Sequence, residues 1–148
     1  MTKQISVFIE NRKGRLGEIL DVLKASDVNI ISLSLADTAE YGILRIISNK
    51  PQKGKEALTA AGFSSVLTDV FILKVSHEPG SLQKILRVIS NEELSVEYMY
   101  GLSVGEGEAS IVVKTSDLEK AQAVFKQYGI HIFRTPPHAI AQTMLTKH

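Results

Sequence analysis

The sequence predicts an α+β chain built as two βαββαβ domains in tandem, and three observations carry that prediction. Segments 5–35 and 71–101 share one apolar and glycine pattern at an offset of about 66 residues: Gly14 aligns with Gly80, Leu16 with Leu82, Ile19 with Ile85, Leu20 with Leu86 and Val22 with Val88. In each segment apolar residues first alternate with period two, then recur at helical spacing, then return to a β-branched run. The repeated unit is longer than a solenoid repeat of roughly 20–50 residues, so it has the size of a small domain. Residues 1–68 form the first domain and 69–148 the second, with a C-terminal tail; each lies near the lower limit for independent folding, so the two are expected to pack together.

In the first half, Ile5, Val7 and Ile9 mark a half-covered strand, and Leu16, Ile19, Leu20 and Leu23 mark the apolar stripe of a helix. Strand character resumes at Val28-Asn29-Ile30-Ile31 and continues through Leu33 and Leu35. A hairpin turn over 36–42 leads to Ile43, Leu44, Ile46 and Ile47. A second helix is expected through Ala57, Leu58, Ala60 and Ala61 after Pro51, ending at Gly62. A short strand around Val66 and Leu67 closes the half.

The second half repeats the order. Residues 71–75 read as a strand, Leu82, Ile85, Leu86 and Ile89 as a helical stripe, and 94–104 as a strand. Gly105-Glu106-Gly107 marks a hairpin before the strand at 111–113. Ser116 with Glu119 predicts a capping box for a helix carrying Leu118, Ala121, Phe125 and Tyr128 and stopping at Gly129. A closing strand at 130–133 and a tail after Pro136-Pro137 complete the chain. This order is the split arrangement of ferredoxin-like domains, with both helices on one face of an antiparallel sheet. Bare sheet edges invite pairing, so the two sheets are expected side by side, in about eight strands with four helices on one face.

Composition narrows the function. The formal net charge of +1, with both signs interspersed, offers no stripe for a phosphate backbone, so no nucleic-acid partner is expected. The absence of cysteine excludes disulfides and thiolate chemistry. No apolar run approaches the ~20 residues that span a bilayer, so no membrane partner is expected and the cytoplasm is the expected location. The histidines lack metal-ligand spacing, no acid–base pair or nucleophile elbow occurs, and neither a metal, a cofactor nor an enzymatic activity is expected.

Chemistry is expected at the turn between the first strand and first helix of each half. These turns are Glu10-Asn11-Arg12-Lys13-Gly14-Arg15-Leu16 and Ser76-His77-Glu78-Pro79-Gly80-Ser81-Leu82. The glycine permits close backbone approach, and the helix behind it begins with unpaired amides able to hold a carboxylate. About fifteen residues after the glycine stand Asn29 and Ser95, polar groups that could face an amino group.

At these residues the sequence resembles the ACT family, ferredoxin-like modules that bind amino acids and regulate metabolism, and the resemblance covers nearly the whole chain. Glu10-Asn11-Arg12-x-Gly14-x-Leu16 with Val28-Asn29-Ile30 is similar to the regulatory domain of phosphoglycerate dehydrogenase. Asn29-Ile30-Ile31-Ser32-Leu33 is similar to the regulatory subunit of acetolactate synthase. The chain departs from the family at Lys13, where proline is usual and Pro79 keeps it, at Ile9, where the serine-sensing domain has histidine, and at Ser95, where Asn29 has no asparagine counterpart. The two pockets are therefore expected to be unequal. The resemblance implies an allosteric sensor whose ligand binds at the seam between the domains, drawing on Asn11, Arg12, Lys13, Gly14, Arg15, Leu16, Asn29 and Ile30 in the first half. His77, Pro79, Gly80, Ser81, Leu82 and Ser95 are their counterparts in the second.

Plainer roles stand beside these. Asparagine at 11 and 29 suits a turn and a strand entry. The glycines serve the turn geometry in either case, and His77 is either an effector contact or a solvated loop histidine. Arg12, Lys13 and Arg15 form either an anion-attracting cluster or a solvated one. The effector, whether branched-chain, histidine or another amino acid, is open. A metabolic enzyme such as acetolactate synthase is a possible partner, with this chain as its dissociable regulatory subunit, and the remaining sheet edges lead us to expect a homodimer.

Overall fold

The computed structural model describes residues 1–10, 12–38, 40–76, 78–102 and 109–134. Along them run β1 (Thr2–Glu10), α1 (Arg15–Ala25), β2 (Ile30–Asp37), β3 (Tyr41–Ser48), α2 (Pro51–Ala60) and β4 (Ser64–Val75). Then follow α3 (Ser81–Asn91), β5 (Val96–Leu102), β6 (Ala109–Thr115), α4 (Leu118–Gln127) and β7 (Ile132–Phe133). The chain is thus α+β, with the βαββαβ order twice. It divides into two compact units, Lys3–Thr68 and Asp69–His148, with Met1–Thr2 counted in the second.

One strand fewer is present among the described residues than the repeat predicts, because β4 is a single strand of 12 residues that closes the first repeat and opens the second. The sequence Leu67-Thr68-Asp69-Val70 contains no glycine or proline to turn the chain, so it stays extended. The expected hairpin at Gly105-Glu106-Gly107 and the tail lie outside the described residues, as do Asn11 and His77.

The first repeat has the strand order β2-β3-β1-β4. Antiparallel register sets Ile5 opposite Ile46 and Val7 opposite Leu44, so alternate residues of both strands share one face. That face packs on Ile19 and Leu23 of α1, Leu58 of α2 and Phe63. Full burial of each such side chain contributes about 1.5–3 kcal/mol. α2 approaches closely because Gly54 is buried: a Cβ there would lie 2.7 Å from Ile5 Cδ1.

The second repeat has the order β5-β6-β4, with β7 on the other side of β4. Its core gathers Phe71, Leu73, Val75, Ile111 and Val113 from strands with Ile85, Ile89, Ala121, Val124 and Phe125 from helices. The Phe71 and Phe125 rings meet edge to face at 5.2 Å. Both repeats carry a register shift at the same place, between Ile30 and Ser32 in β2 and between Val96 and Tyr98 in β5.

Helix ends also repeat, with different chemistry. After α2 and α4 the left-handed residue is Gly62 (φ 92) and Gly129 (φ 68), where the sequence placed the stops; after α1 and α3 it is Asp27 (φ 57) and Glu93 (φ 60). The N-terminus of α4 differs from the expected capping box. Asp117 is the cap, its carboxylate accepting from Lys120 N at 3.1 Å, whereas Ser116 Oγ accepts from Ser95 N at 3.1 Å. Ser116 is held by Ser95, the residue before β5, and so is not free to cap.

No helix among the described residues is long and apolar enough to cross a membrane. No group of three or more His, Asp or Glu side chains able to hold a metal ion occurs among them either.

Candidate functional site

The two glycine turns have nearly the same backbone. Gly14 has φ 87 and Gly80 φ 85, left-handed values that a side-chain-bearing residue rarely adopts. Arg15 N donates to Arg12 O (3.3 Å) and Ser81 N to Glu78 O (3.2 Å), while Glu18 N donates to Gly14 O and Lys84 N to Gly80 O, each at 3.0 Å. A Cβ at Gly14 would meet nothing within 4 Å, and one at Gly80 only Gln83 Oε1 at 3.8 Å. The glycines are therefore required by backbone torsion and not by crowding inside the unit. Lys13 and Pro79 occupy the same exposed turn position, so the loss of proline at 13 leaves the turn unchanged.

Neither α1 nor α3 has a side chain capping its first amides, in contrast to α4. A helix start of this kind carries the positive end of the macrodipole and presents N–H donors to an anion. Leu16 and Leu82, half-buried against their respective cores, anchor each turn.

Around these shared turns the side chains differ. Arg12 Nε pairs with Glu10 Oε2 at 3.0 Å. Arg15 Nη1 meets Glu18 Oε2 at 2.8 Å, and its guanidinium lies 4.4 Å from the centroid of the Phe63 ring. Two of the three cations at this turn, Arg12 and Arg15, thus have carboxylate partners within the first repeat. In the second turn hydroxyls replace charges: Ser81 Oγ accepts from Ser76 N at 3.0 Å, and Ser76 Oγ accepts from Glu78 N at 3.1 Å.

Asn29 and Ser95 hold strand entries. Asn29 N donates to Asn49 Oδ1 at 2.9 Å and Asn49 N to Asn29 O at 3.2 Å. Ser95 and Ser116 exchange the matching pair. Ile30 is half-buried against the first core. Register places Ile30 opposite Ser48, whereas Asp37 and Ile9 both face Gly42. The Asn29 end and the Gly14 end of one repeat are therefore separated by the length of β2, roughly 25 Å for eight residues of strand. Separate hollows reflect this: Asn29 lines one with Lys24, Asp27 and Val28, and Glu10 and Arg12 line another with Leu35, Asp37 and Gly42. Gly14 and Asn29 of the same repeat do not meet on one small ligand.

Two tandem βαββαβ units, each with an uncapped helix behind a left-handed glycine, define a duplicated ferredoxin-like module. The particular family follows from comparison: a family model described as an ACT domain pair matches residues 1–134, and the chain belongs to that family. The crystal structure of protein BT0572 from Bacteroides thetaiotaomicron is similar at 35% identity and TM-score 0.84, over 89% of this chain and 91% of that one. The ligand-free regulatory subunit of aspartate kinase from Thermus thermophilus is 14% identical with TM-score 0.63, over 84% and 88% of the two chains. Its counterpart from Thermus flavus is 15% identical with TM-score 0.60, over the same shares. Likeness at that level of identity shows the fold. The sequence matches no curated protein.

Proposed function

We propose that the chain is a non-enzymatic regulatory protein that reversibly binds a free amino acid, with the ligand's carboxylate at the helix starts behind Gly14 and Gly80. The observation that carries this reading is the duplicated turn, in which a left-handed glycine leads into a helix with no side-chain cap. Membership of the ACT family supports it. Of the residues singled out in the sequence, Gly14, Leu16, Gly80 and Leu82 set the two turns, and Ser81 ties the second together. Asn11 and His77 are proposed as side-chain contacts at the turn mouths. A ligand that binds one arrangement better than another shifts the population toward it, and a coupling of roughly 1–3 kcal/mol suffices for allosteric control.

The test is a thermal-shift panel of the proteinogenic amino acids. A ligand at a hundred times its dissociation constant stabilises by about 2.7 kcal/mol, roughly 5–10 °C for a chain of this size. A selective shift is expected for one amino acid or a related group. In the variant Gly14→Asn/Gly80→Asn, asparagine tolerates the left-handed turn but places an amide at its mouth, and the shift should vanish with the circular dichroism unchanged. A flat panel, or an undiminished shift in the variant, overturns the reading.

A second reading, a dissociable regulatory subunit of an amino-acid biosynthetic enzyme, is favoured by an exposed apolar strip in the first repeat. Phe8 and Tyr41 stack at 5.1 Å and are 48% and 47% exposed, with Ile43 beside them at 39%. Surface apolar groups that cluster in this way suit a protein partner. Co-purification with a biosynthetic enzyme, lost in Phe8→Ser/Ile43→Ser, would separate this reading from a free-standing sensor.

A further inference from the structure

The second repeat contains a groove of about 610 Å³ that borders the glycine turn at Ser76 and Ser81 and runs beside α3 past the helix start. Lys84 and Arg87 stand three residues apart and so share a helix face, with Val88 and Asn91 continuing it. Tyr128 and His131 border the opposite side, and Ile85, Val88 and Ile130 supply apolar surface. No Asp or Glu is among the described lining residues. Such a volume falls within the ~300–1,000 Å³ of small-molecule sites, and a cleft lined by one sign of charge concentrates counter-ions.

The same helix position in the first repeat shows that this charge is not a requirement of the fold. There Glu18 and Asp21 replace Lys84 and Arg87, and Arg15, held by Glu18 and Phe63, takes the place of Ser81. α1 contains two acids and two bases, whereas α3 contains Lys84 and Arg87 and no acid. Neither Lys84 nor Arg87 has an ion pair among the described residues, and Glu92, just past the end of α3, accepts from the Tyr128 hydroxyl at 2.8 Å.

We propose that this groove binds a multiply charged organic anion of nucleotide size. Its phosphate or carboxylate groups meet Lys84 and Arg87, and its body lies on Ile85, Val88 and Ile130. The planar guanidinium of Arg87 can take two anionic oxygens at once, and the Lys84 ammonium adds a mobile point charge. The site borders the second glycine turn but does not require the helix-start amides, and it shares nothing with the Gly14 turn of the first repeat.

Calorimetric titration of the full chain with ATP, pyrophosphate and citrate, in about 0.15 M salt, tests the proposal. Saturable binding of at least one is expected. ATP alone indicates a phosphate-bearing ligand with a body, pyrophosphate with ATP indicates phosphate recognition, and citrate indicates a polycarboxylate. The variant Lys84→Glu/Arg87→Asp installs the residues that α1 already carries at exposed positions, and it should weaken binding by roughly tenfold or more through loss of two charge-assisted contacts. An amino-acid response at the Gly14 turn should survive that variant, and Gly14→Asn/Gly80→Asn should leave anion binding at Lys84 and Arg87 in place, so the two sites fail separately. No saturable binding of any probe, or equal binding by the variant, overturns the proposal.

Discussion

In the first repeat Arg15 lies over Phe63 and is tied to Glu18. In the second, Ser81 and Ile130 hold the equivalent places, and the neighbouring helix face carries Lys84 and Arg87 beside an open groove. The backbones of the two regions agree down to the left-handed glycine and the register shift, so the difference lies wholly in side chains. A duplicated scaffold conserves what torsion and hydrogen bonding demand, and diverges where a side chain answers only to solvent or ligand. The cores differ in the same way, with Ile5, Gly54 and Leu58 in one repeat where the other has Phe71, Ala121 and Phe125.

The largest effect should come from that contrast in cores. Phe125→Ala removes the ring packed on Phe71 and should destabilise by about 3–5 kcal/mol, and Leu58→Ala by about 2–5 kcal/mol, in urea unfolding. A smaller cost for Phe125→Ala than for Leu58→Ala would break the idea that the second core depends more on its aromatic pair. Next come the turns, where the repeats should behave alike. Gly14→Ala and Gly80→Ala should each cost about 1–2 kcal/mol, because each forces a side-chain-bearing residue into the left-handed region without a clash. Costs differing several-fold would show that one turn is held by something beyond torsion.

A stabilising change is expected at the ends of α1 and α3. Glu93→Gly relieves a left-handed glutamate and should raise stability by about 1 kcal/mol, seen as a higher Tm. Asp27→Gly should be nearer neutral, since aspartate tolerates that conformation better and its carboxylate meets Lys50 Nζ at 3.2 Å. Equal gains at both sites would remove the distinction.

The smallest effect concerns Tyr128. Its hydrogen bond to Glu92, then the charge of that carboxylate, then desolvation raise its phenol above the ordinary value. The neutral phenol is the form the fold favours, so any contribution is present below the ordinary phenol range and is lost as pH climbs through the raised folded value. Glu92→Gln should shift the phenolate absorbance midpoint of Tyr128 downward, identified by difference from Tyr128→Phe. An unmoved midpoint would mean that Glu92 does not hold the hydroxyl in solution.

Much of this fold was legible in the sequence because its signals are local. Period-two runs such as Ile5, Val7 and Ile9, helical stripes such as Leu82, Ile85, Leu86 and Ile89, and the stops at Gly62 and Gly129 each depend on neighbours a few residues away. The shared glycine turn was visible for the same reason. What escaped depends on residues distant in the chain. Arg15 reaches Phe63 across the fold, and Ser116 is taken by Ser95, which leaves Asp117 to cap α4. Asn29 follows Gly14 closely in sequence, yet α1 carries the chain back down the sheet and sets the two at opposite ends of β2. The Lys84 and Arg87 face was written in α3 all along, but its significance rests on the groove beside it.

Gly54 has a consequence for how such a protein can change. Its missing methyl makes room for Ile5 Cδ1, so alanine, which α4 accepts at the matching position as Ala121, fits in α2 only if that terminal methyl turns away within the core or Ile5 shortens to valine. The order of mutation then matters: Gly54→Ala should cost more before Ile5→Val than after it. Within each half helix and sheet have become epistatically locked, and helices exchanged between the halves one at a time would inherit the wrong neighbours.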